Sequence, residues 1–358
     1  MSSIVDFSAL TLNTEEARTS AEMVFEKAYK NPLLEQSHAV QEGVEMDKFI
    51  PVLGRYPEMG KIDPGGCDVN SVTSQIPVSQ LKWEPKLVSG RLTHCQSDVP
   101  SLLKAWKKSR IAAGTWEEVD NEMMAFIEDR LSDALYRSIL RISSFGDTDA
   151  SPVGDTTGNE ELTAGTDKDL FSMLDGLWKQ IFTDQASGTP KATRVTISEN
   201  SEATKSAQLS LADDAAMDAM EEMYNNIAPE AMDGSIVFQM TRSMYNNYLA
   251  SLKKTSANFT LERIENGHSN VAFYGIPIVV RYDWDRNIKQ FQDLGTTYHL
   301  PHRIILADIN TIPLGTSDEG SLTNLDSFYD KTNKKHYIDF AYKIDVKALL
   351  LNEMAVAY

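Results

Sequence analysis

Three stretches of the chain gather side chains that could do chemistry. His94-Cys95 sets an imidazole next to a thiol, the raw material of a nucleophilic thiolate. Neighbours in a strand face opposite sides, so an extended His94-Cys95 is no dyad, and His268, His299 or His302 would have to supply the base. We read Cys95 as a small, semi-buried residue beside a surface histidine. Asp147, Asp149, Ser151 and Asp155 begin like a calcium loop, but Pro152 stands where that loop needs Gly and Gly158 where it needs a bidentate Glu. Asp214, Asp218, Glu221 and Glu222 recur at helical spacing, which suits a divalent ion and equally a solvated acidic face; we take the second reading. There is no Gly-x-Ser-x-Gly elbow, phosphate-binding Gly-rich loop with Lys-Ser/Thr, His-Glu-x-x-His pair or dinucleotide fingerprint. No catalytic residue, cofactor or metal is therefore expected.

Whole-chain properties narrow the class further. The 358 residues allow about two domains or one elaborate one. A formal net charge of -18 argues against a surface built to grip nucleic acid, because that grip comes from Lys and Arg neutralising phosphates. Two cysteines are too few for a disulfide framework, and a reducing cytoplasm fits them. The start lacks a basic then apolar leader, and no segment is apolar for long enough to span a membrane, so neither secretion nor membrane insertion is expected.

The elements that must position these residues are uneven in strength. Asn13 and Glu16 form a capping box for a modest helix that Asn31-Pro32 ends, and residues 101–113 read as a second helix with Lys104, Lys107, Lys108 and Arg110. The strongest signal runs from Thr115 to Ser143. There Trp116, Val119, Met123, Ile127, Leu131, Leu135, Ile139 and Ile142 recur at steps of three and four, behind a Thr115/Glu118 capping box. Residues 145–166 read as an exposed loop. Helices are expected from Leu170 to Phe182, from a Ser210 cap to Asn226 and from Met244 to Leu252. Strands are expected over 235–240, 271–284, 303–312 and 337–351. Helices and strands mix without regular alternation, which predicts an α+β class.

Residues 50–92 pose the hardest question. Prolines at 51, 57, 64, 77 and 85 and glycines at 54, 60, 65, 66 and 90 forbid a long helix. Ile76, Val78, Leu81 and Trp83 alternate with one slip, predicting a strand broken near Ser79-Gln80. The segment reads as a long hairpin leaving its own domain, with Val72, Ile76, Val78, Leu81, Trp83 and Leu87 needing cover from elsewhere. Arg55, Lys61, Lys82, Lys86 and Arg91 make it slightly basic, whereas the long helix opens with Glu117, Glu118, Asp120, Glu122, Glu128 and Asp129. Such opposed patches could dock one subunit's hairpin on another's helix.

The stretch Phe273-Tyr274-Gly275-Ile276-Pro277-Ile278-Val279-Val280-Arg281-Tyr282-Asp283, followed by Leu300-Pro301-His302-Arg303-Ile304-Ile305-Leu306-Ala307-Asp308, resembles a late segment of tailed-bacteriophage major capsid proteins of the Hong Kong 97 type. The order of elements is similar too. The resemblance implies an N-terminal arm (1–48), an extended hairpin (49–100), a peripheral domain with a spine helix (101–165), a central domain (166–335) and a final strand returning to the peripheral domain (336–358). Family members often carry Gly-Asp where Ala307-Asp308 stands, and self-scaffolding members have a longer N-terminal extension than the 48 residues here. Some cross-link a hairpin lysine to a neighbour's asparagine, for which Lys61, Lys82 and Asn352 show no positional match. Read on their own, Gly275 suggests a bend and Pro277 an edge or a strand start, with the strand proper beginning at Ile278.

The resemblance implies a structural subunit, not an enzyme. It would form the pentamers and hexamers of an icosahedral head, enclose double-stranded DNA without reading its sequence, and be assembled in the host bacterial cytoplasm into the virion. Scaffold, portal and decoration proteins are its implied partners. The intersubunit residues expected are Arg55, Lys61, Trp83, Lys86 and Arg91 on the hairpin, and Glu117, Glu118, Asp120, Glu128 and Asp129 on the helix. Gly275, Pro277 and Asp308 carry the family-like motif. A cellular nanocompartment shell of the same fold and a cytoplasmic hydrolase using Cys95 are the rival readings.

Overall fold

A computed structural model of the full chain describes residues 24, 27–53, 78–95, 99–112, 122–153, 160–255, 272–316, 324–330, 332–333 and 335–358. Besides one-turn helices such as Pro32–Glu35 and Lys205–Gln208, the elements in chain order are β1 (Ala39–Gln41), β2 (Phe49–Leu53), β3 (Val78–Lys82), β4 (Lys86–Cys95), α1 (Val99–Ala112), α2 (Glu122–Phe145), β5 (Ala150–Pro152), β6 (Glu160–Leu162), α3 (Leu177–Ala186), β7 (Thr193–Val195), α4 (Ala215–Asn226), β8 (Ile236–Met240), α5 (Arg242–Thr255), β9 (Ala272–Phe273), β10 (Ile276–Val280), α6 (Tyr282–Phe291), β11 (Ile304–Asp308), β12 (Pro313–Thr316), β13 (Asn324–Asp330), β14 (Lys335–Val346) and β15 (Ala355–Ala357).

Two sheets organise the chain. In the first, β14 pairs antiparallel with β4 along one edge and with β12 and β13 along the other, and β1 extends it beyond β12. In the second, six strands run in the order β7-β15-β11-β8-β10-β9. Alternation along β11 shows why that sheet is covered on both faces. Ile304 and Leu306 enter a core with Met220 and Met223 of α4 and Met244 and Tyr248 of α5, while Ile305 and Ala307 enter the larger core built on α2 and α3. Helices and strands therefore mix in the α+β manner that the sequence predicts.

The long helix is present as expected over 122–145, with Phe126, Leu131, Leu135, Ile139 and Ile142 buried along one stripe. Its predicted start, with Trp116 and Val119, lies outside the described residues.

Several boundaries differ from expectation. The 170–182 helix begins only at Leu177, because Gly176 takes the N-cap position and residues 168–170 form a 3₁₀ turn. Ser210 caps nothing; α4 starts after Asp214, which sits at φ 64°. The predicted strand over 271–284 is three elements, namely β9, β10 and α6. Tyr274 (φ 50°) and Gly275 (φ 82°) turn β9 into β10, two positive φ values as in a type I′ hairpin turn. Strand β10 therefore starts at Ile276, not Ile278, and Trp284 lies in a helix. The strand expected over 337–351 is β14, which ends at Val346, and β3 runs unbroken through Ser79-Gln80, the interruption falling at residues 83–85.

Candidate functional site

The predicted hairpin has a real stem. β2 and β3 pair antiparallel, Phe49 opposite Lys82 and Leu53 opposite Val78. Residues 54–77, including Arg55, Lys61, Val72 and Ile76, lie outside the described residues. At the root, Trp83 donates its backbone N–H to the Lys48 carbonyl (3.0 Å) and accepts from Asp47 N–H (3.0 Å). Its indole lies over Gly315 of β12, where a Cβ would stand 2.7 Å from Cζ3.

Trp83 is only 2% exposed in the single chain, so its cover comes from its own first sheet and not from a neighbour. That corrects the expectation for this residue. The sequence could not show it, because the cover lies more than two hundred residues away.

Nearby, Glu84 N–H donates to the buried carboxylate of Asp345 (2.7 Å). Burial pushes the Asp345 carboxyl up, against that hydrogen bond and the Lys347 ammonium at 3.2 Å. These bonds fasten the stem to β14 and fix the direction in which it leaves.

Three of the other expected contact residues, Lys86, Arg91 and Asp129, also find partners within the chain. Lys86 stands 3.8 Å from Glu84, both half-exposed. Arg91 makes a bidentate pair with Asp339 (2.5 Å for both bonds) and lies over the Phe328 and Tyr337 rings at 5.7 and 5.3 Å. The hydrogen bond from Arg91 holds the Asp339 carboxyl below its usual range. On α2, Asp129 accepts from Arg110 Nη2 (2.7 Å) and Trp106 Nε1 (3.0 Å), strapping α1 to α2. Glu128 is half-buried one residue before it. Glu117, Glu118 and Asp120 lie outside the described residues.

Among exposed charges such as Asp47, Lys82 and Glu84, the stem root also leaves three large apolar side chains uncovered. Met46, Phe49 and Leu87 are 63%, 52% and 62% exposed around its root. Sequence reading picked out Leu87 but missed Met46 and Phe49, whose only signal was their place beside a segment that must leave the domain.

The motif residues serve the fold. Pro277 sits opposite Ala272 in the short outer hairpin, before β10 joins β8, so its missing N–H costs the main sheet nothing. Asp308 ends β11, and its carboxylate accepts from Asn310 N–H and Nδ2, both at 2.9 Å, capping the turn into β12.

Cys95 and His94 lie in β4 opposite Lys335 and His336, extended as expected. The candidate bases are engaged elsewhere. His302 contacts Ser243 Oγ through Nδ1 (2.7 Å) and the Gln208 carbonyl through Nε2 (2.6 Å), which assigns the Nε2 proton. His299 is held neutral by burial and by Arg303, its pKa lowered to about 3. His268 lies outside the described residues. The calcium-like loop holds an ammonium instead, with Lys179 Nζ 2.9 Å from Asp147 and 3.1 Å from Asp149. Asp155 lies outside the described residues. Asp218, Glu221 and Glu222 form an exposed face of α4 opposite buried Ala216, Met220 and Met223. Among the described residues no cluster of three His, Cys, Asp or Glu could hold a metal, and no helix is long and apolar enough to cross a membrane.

No family model and no curated protein matches the chain. Solved structures do. A chain of the satellite phage P4 procapsid that includes the size determination (Sid) protein aligns with 97% of this chain and 90% of its own length, at 10% identity and TM-score 0.53. One from Gordonia phage Cozz aligns over 90% and 84%, at 14% identity and TM-score 0.50. A virus-like particle from Pyrococcus furiosus aligns over 96% and 99%, at 10% identity and TM-score 0.43. At these identities the likeness is one of fold, and across nearly its whole length the chain has the fold of a phage capsid subunit.

Proposed function

We propose that the chain is a major capsid subunit, self-associating into pentamers and hexamers of an icosahedral phage head that encloses double-stranded DNA. The observation that carries this reading is the full-length likeness to the P4 procapsid chain. Two features of the chain itself support it. Apolar Met46, Phe49 and Leu87 crowd the root of an extended stem, a surface that suits burial by another subunit. The net charge of -18 suits a container, since many phosphate contacts would impede packing and release of a genome.

Docking then falls to the distal hairpin and the head of the long helix. Arg55, Lys61 and the outward charge of Lys86 are the hairpin side, and Glu117, Glu118, Asp120 and Glu128 the receiving side. Arg91 and Asp129 act one step back, by stiffening the sheet and the helix pair that present those residues. A reversal such as Lys61→Glu or Glu118→Lys should weaken assembly, and the double reversal should restore it; absence of rescue counts against this docking.

Electron microscopy and light scattering of the chain expressed alone test the main reading. Closed particles or capsomer rings are expected. A monomer that persists even when neighbouring structural genes are co-expressed would refute it, and particles holding a protein cargo and no DNA would point to a cellular nanocompartment.

A further inference from the structure

We propose that one resident water molecule joins the C-terminal end of the long helix to α3. The site is a cavity of about 10 Å³ bounded by Phe145, Asp147, Trp178, Lys179, Phe182 and Arg303, beside Gly146. That volume is about the space one water needs. Two of its wall residues each bring a buried polar atom with no hydrogen-bond partner among the described residues, Oδ2 of Asp147 and Nε1 of Trp178. The residues themselves are 2% and 1% exposed, so bulk solvent does not reach them.

The two atoms define the ligand. Trp178 Nε1–H needs an acceptor, and the carboxylate oxygen of Asp147 needs a donor. An anion would satisfy the indole but face the carboxylate. A metal or ammonium ion would satisfy the carboxylate but face the indole N–H, the Lys179 ammonium and the Arg303 guanidinium, which stacks 4.9 Å over the Trp178 ring. Only a neutral molecule that both donates and accepts fits both, and the volume admits one heavy atom. A water accepting from Trp178 and donating to Asp147 removes two buried polar orphans, each of which would otherwise destabilise the fold.

The position gives the water a structural task. Beside it the backbones cross at van der Waals limits, Gly176 N–H donating to the Gly146 carbonyl at 2.7 Å. A Cβ on Gly176 would stand 2.7 Å from Gly146 N, so only glycine permits the crossing. The crossing and the water together fix the end of the long helix against the start of α3. This inference is independent of the shell reading, since it concerns contacts within one subunit.

A density map of the full-length protein, as shells or as crystals, fine enough to show ordered solvent, tests it. A single peak within about 2.7–3.2 Å of both atoms is expected; its absence, with both side chains in place, overturns the proposal. Exchange of chloride for bromide should leave the peak unchanged, and heavier density there would replace the water with a halide. Trp178→Phe keeps an aromatic ring and removes the indole N–H donor, so the peak should vanish or lose most of its occupancy, and an unchanged peak overturns the proposal. Should that variant not fold, protein with isotope-labelled indoles gives a second readout. Magnetisation transfer between the Trp178 indole proton and water is expected, and its absence overturns the assignment.

Discussion

Acidification should loosen this fold through two imidazoles held neutral, His38 in the interior and His299 at a half-buried position. His38 is 1% exposed beside the fully buried Arg281, and burial, then that guanidinium, lowers its pKa from 6.5 to about 3. His299 is lowered to about 3 by burial and by Arg303. In both cases the unfolded chain binds the proton first, so stability is fully present above about pH 6.5 and is lost progressively as the pH falls from 6.5 towards 3. Between pH 7 and pH 5 each imidazole removes about 2 kcal/mol, or about 4 kcal/mol together. Asp285 works the other way. Burial raises its carboxyl from 3.8 to about 6, so the folded chain takes up that proton first and regains about 1 kcal/mol over the same interval. The net loss is roughly 3 kcal/mol, with His302, lowered mainly by burial, adding to it and Asp147 and Asp345, raised mainly by burial, subtracting. Guanidinium unfolding followed by tryptophan emission, at one protein concentration and several pH values, measures this. His38→Gln should shrink the loss between pH 7 and pH 5 by about 2 kcal/mol, whatever it does to stability at pH 7. An unchanged pH dependence in that variant, or a wild-type chain that gains stability at pH 5, would refute the assignment.

Three further outcomes are expected. Gly315→Ala drives a Cβ into the Trp83 ring and should cost about 1–3 kcal/mol with a shift in tryptophan emission; an unchanged melting temperature would show that the stem root repacks freely. Lys179→Met leaves the 2%-exposed Asp147 without its ammonium and should cost roughly 3 kcal/mol, most of which Asp147→Asn in the same chain should recover in thermal melts. Phe49→Asp and Leu87→Asp, at half-exposed positions, should leave the melting temperature of the disassembled subunit within about 0.5 kcal/mol equivalent yet reduce particle yield, and undiminished yield would remove the stem root from the interface.

Local periodicity made the long helix legible, because one stripe of apolar residues every three or four positions has a single economical solution. The α6 helix was missed although Trp284, Ile288 and Phe291 carry the same spacing and Asp283 and Asp285 the expected acidic first turn. Its start at Arg281 has no side-chain cap, and the apolar β10 runs straight into it, so the strand signal overran the boundary. Arg281 finds its carboxylate partner two residues on, at Asp283, but no local pattern announced the buried polar layer in which it also meets Gln239 and Ser144, since those two come from distant parts of the chain.

Trp83 shows where such reasoning stops. A tryptophan on an extended, proline-rich segment must be covered, and the sequence states that need without naming the supplier. Here a glycine in β12 leaves the gap, the ring fills it, and Asp345 takes the next backbone N–H, so the base of the stem belongs to its own subunit. A rigid base is what a docking arm requires. Were Trp83 itself the contact, each subunit would expose an indole before assembly and the stem could pivot; with the indole buried, the exposed Met46, Phe49 and Leu87 are presented in one fixed direction. Part of the hairpin's hydrophobic surface thus sets the geometry of the stem, and in the docking proposed above only the remainder would meet another subunit.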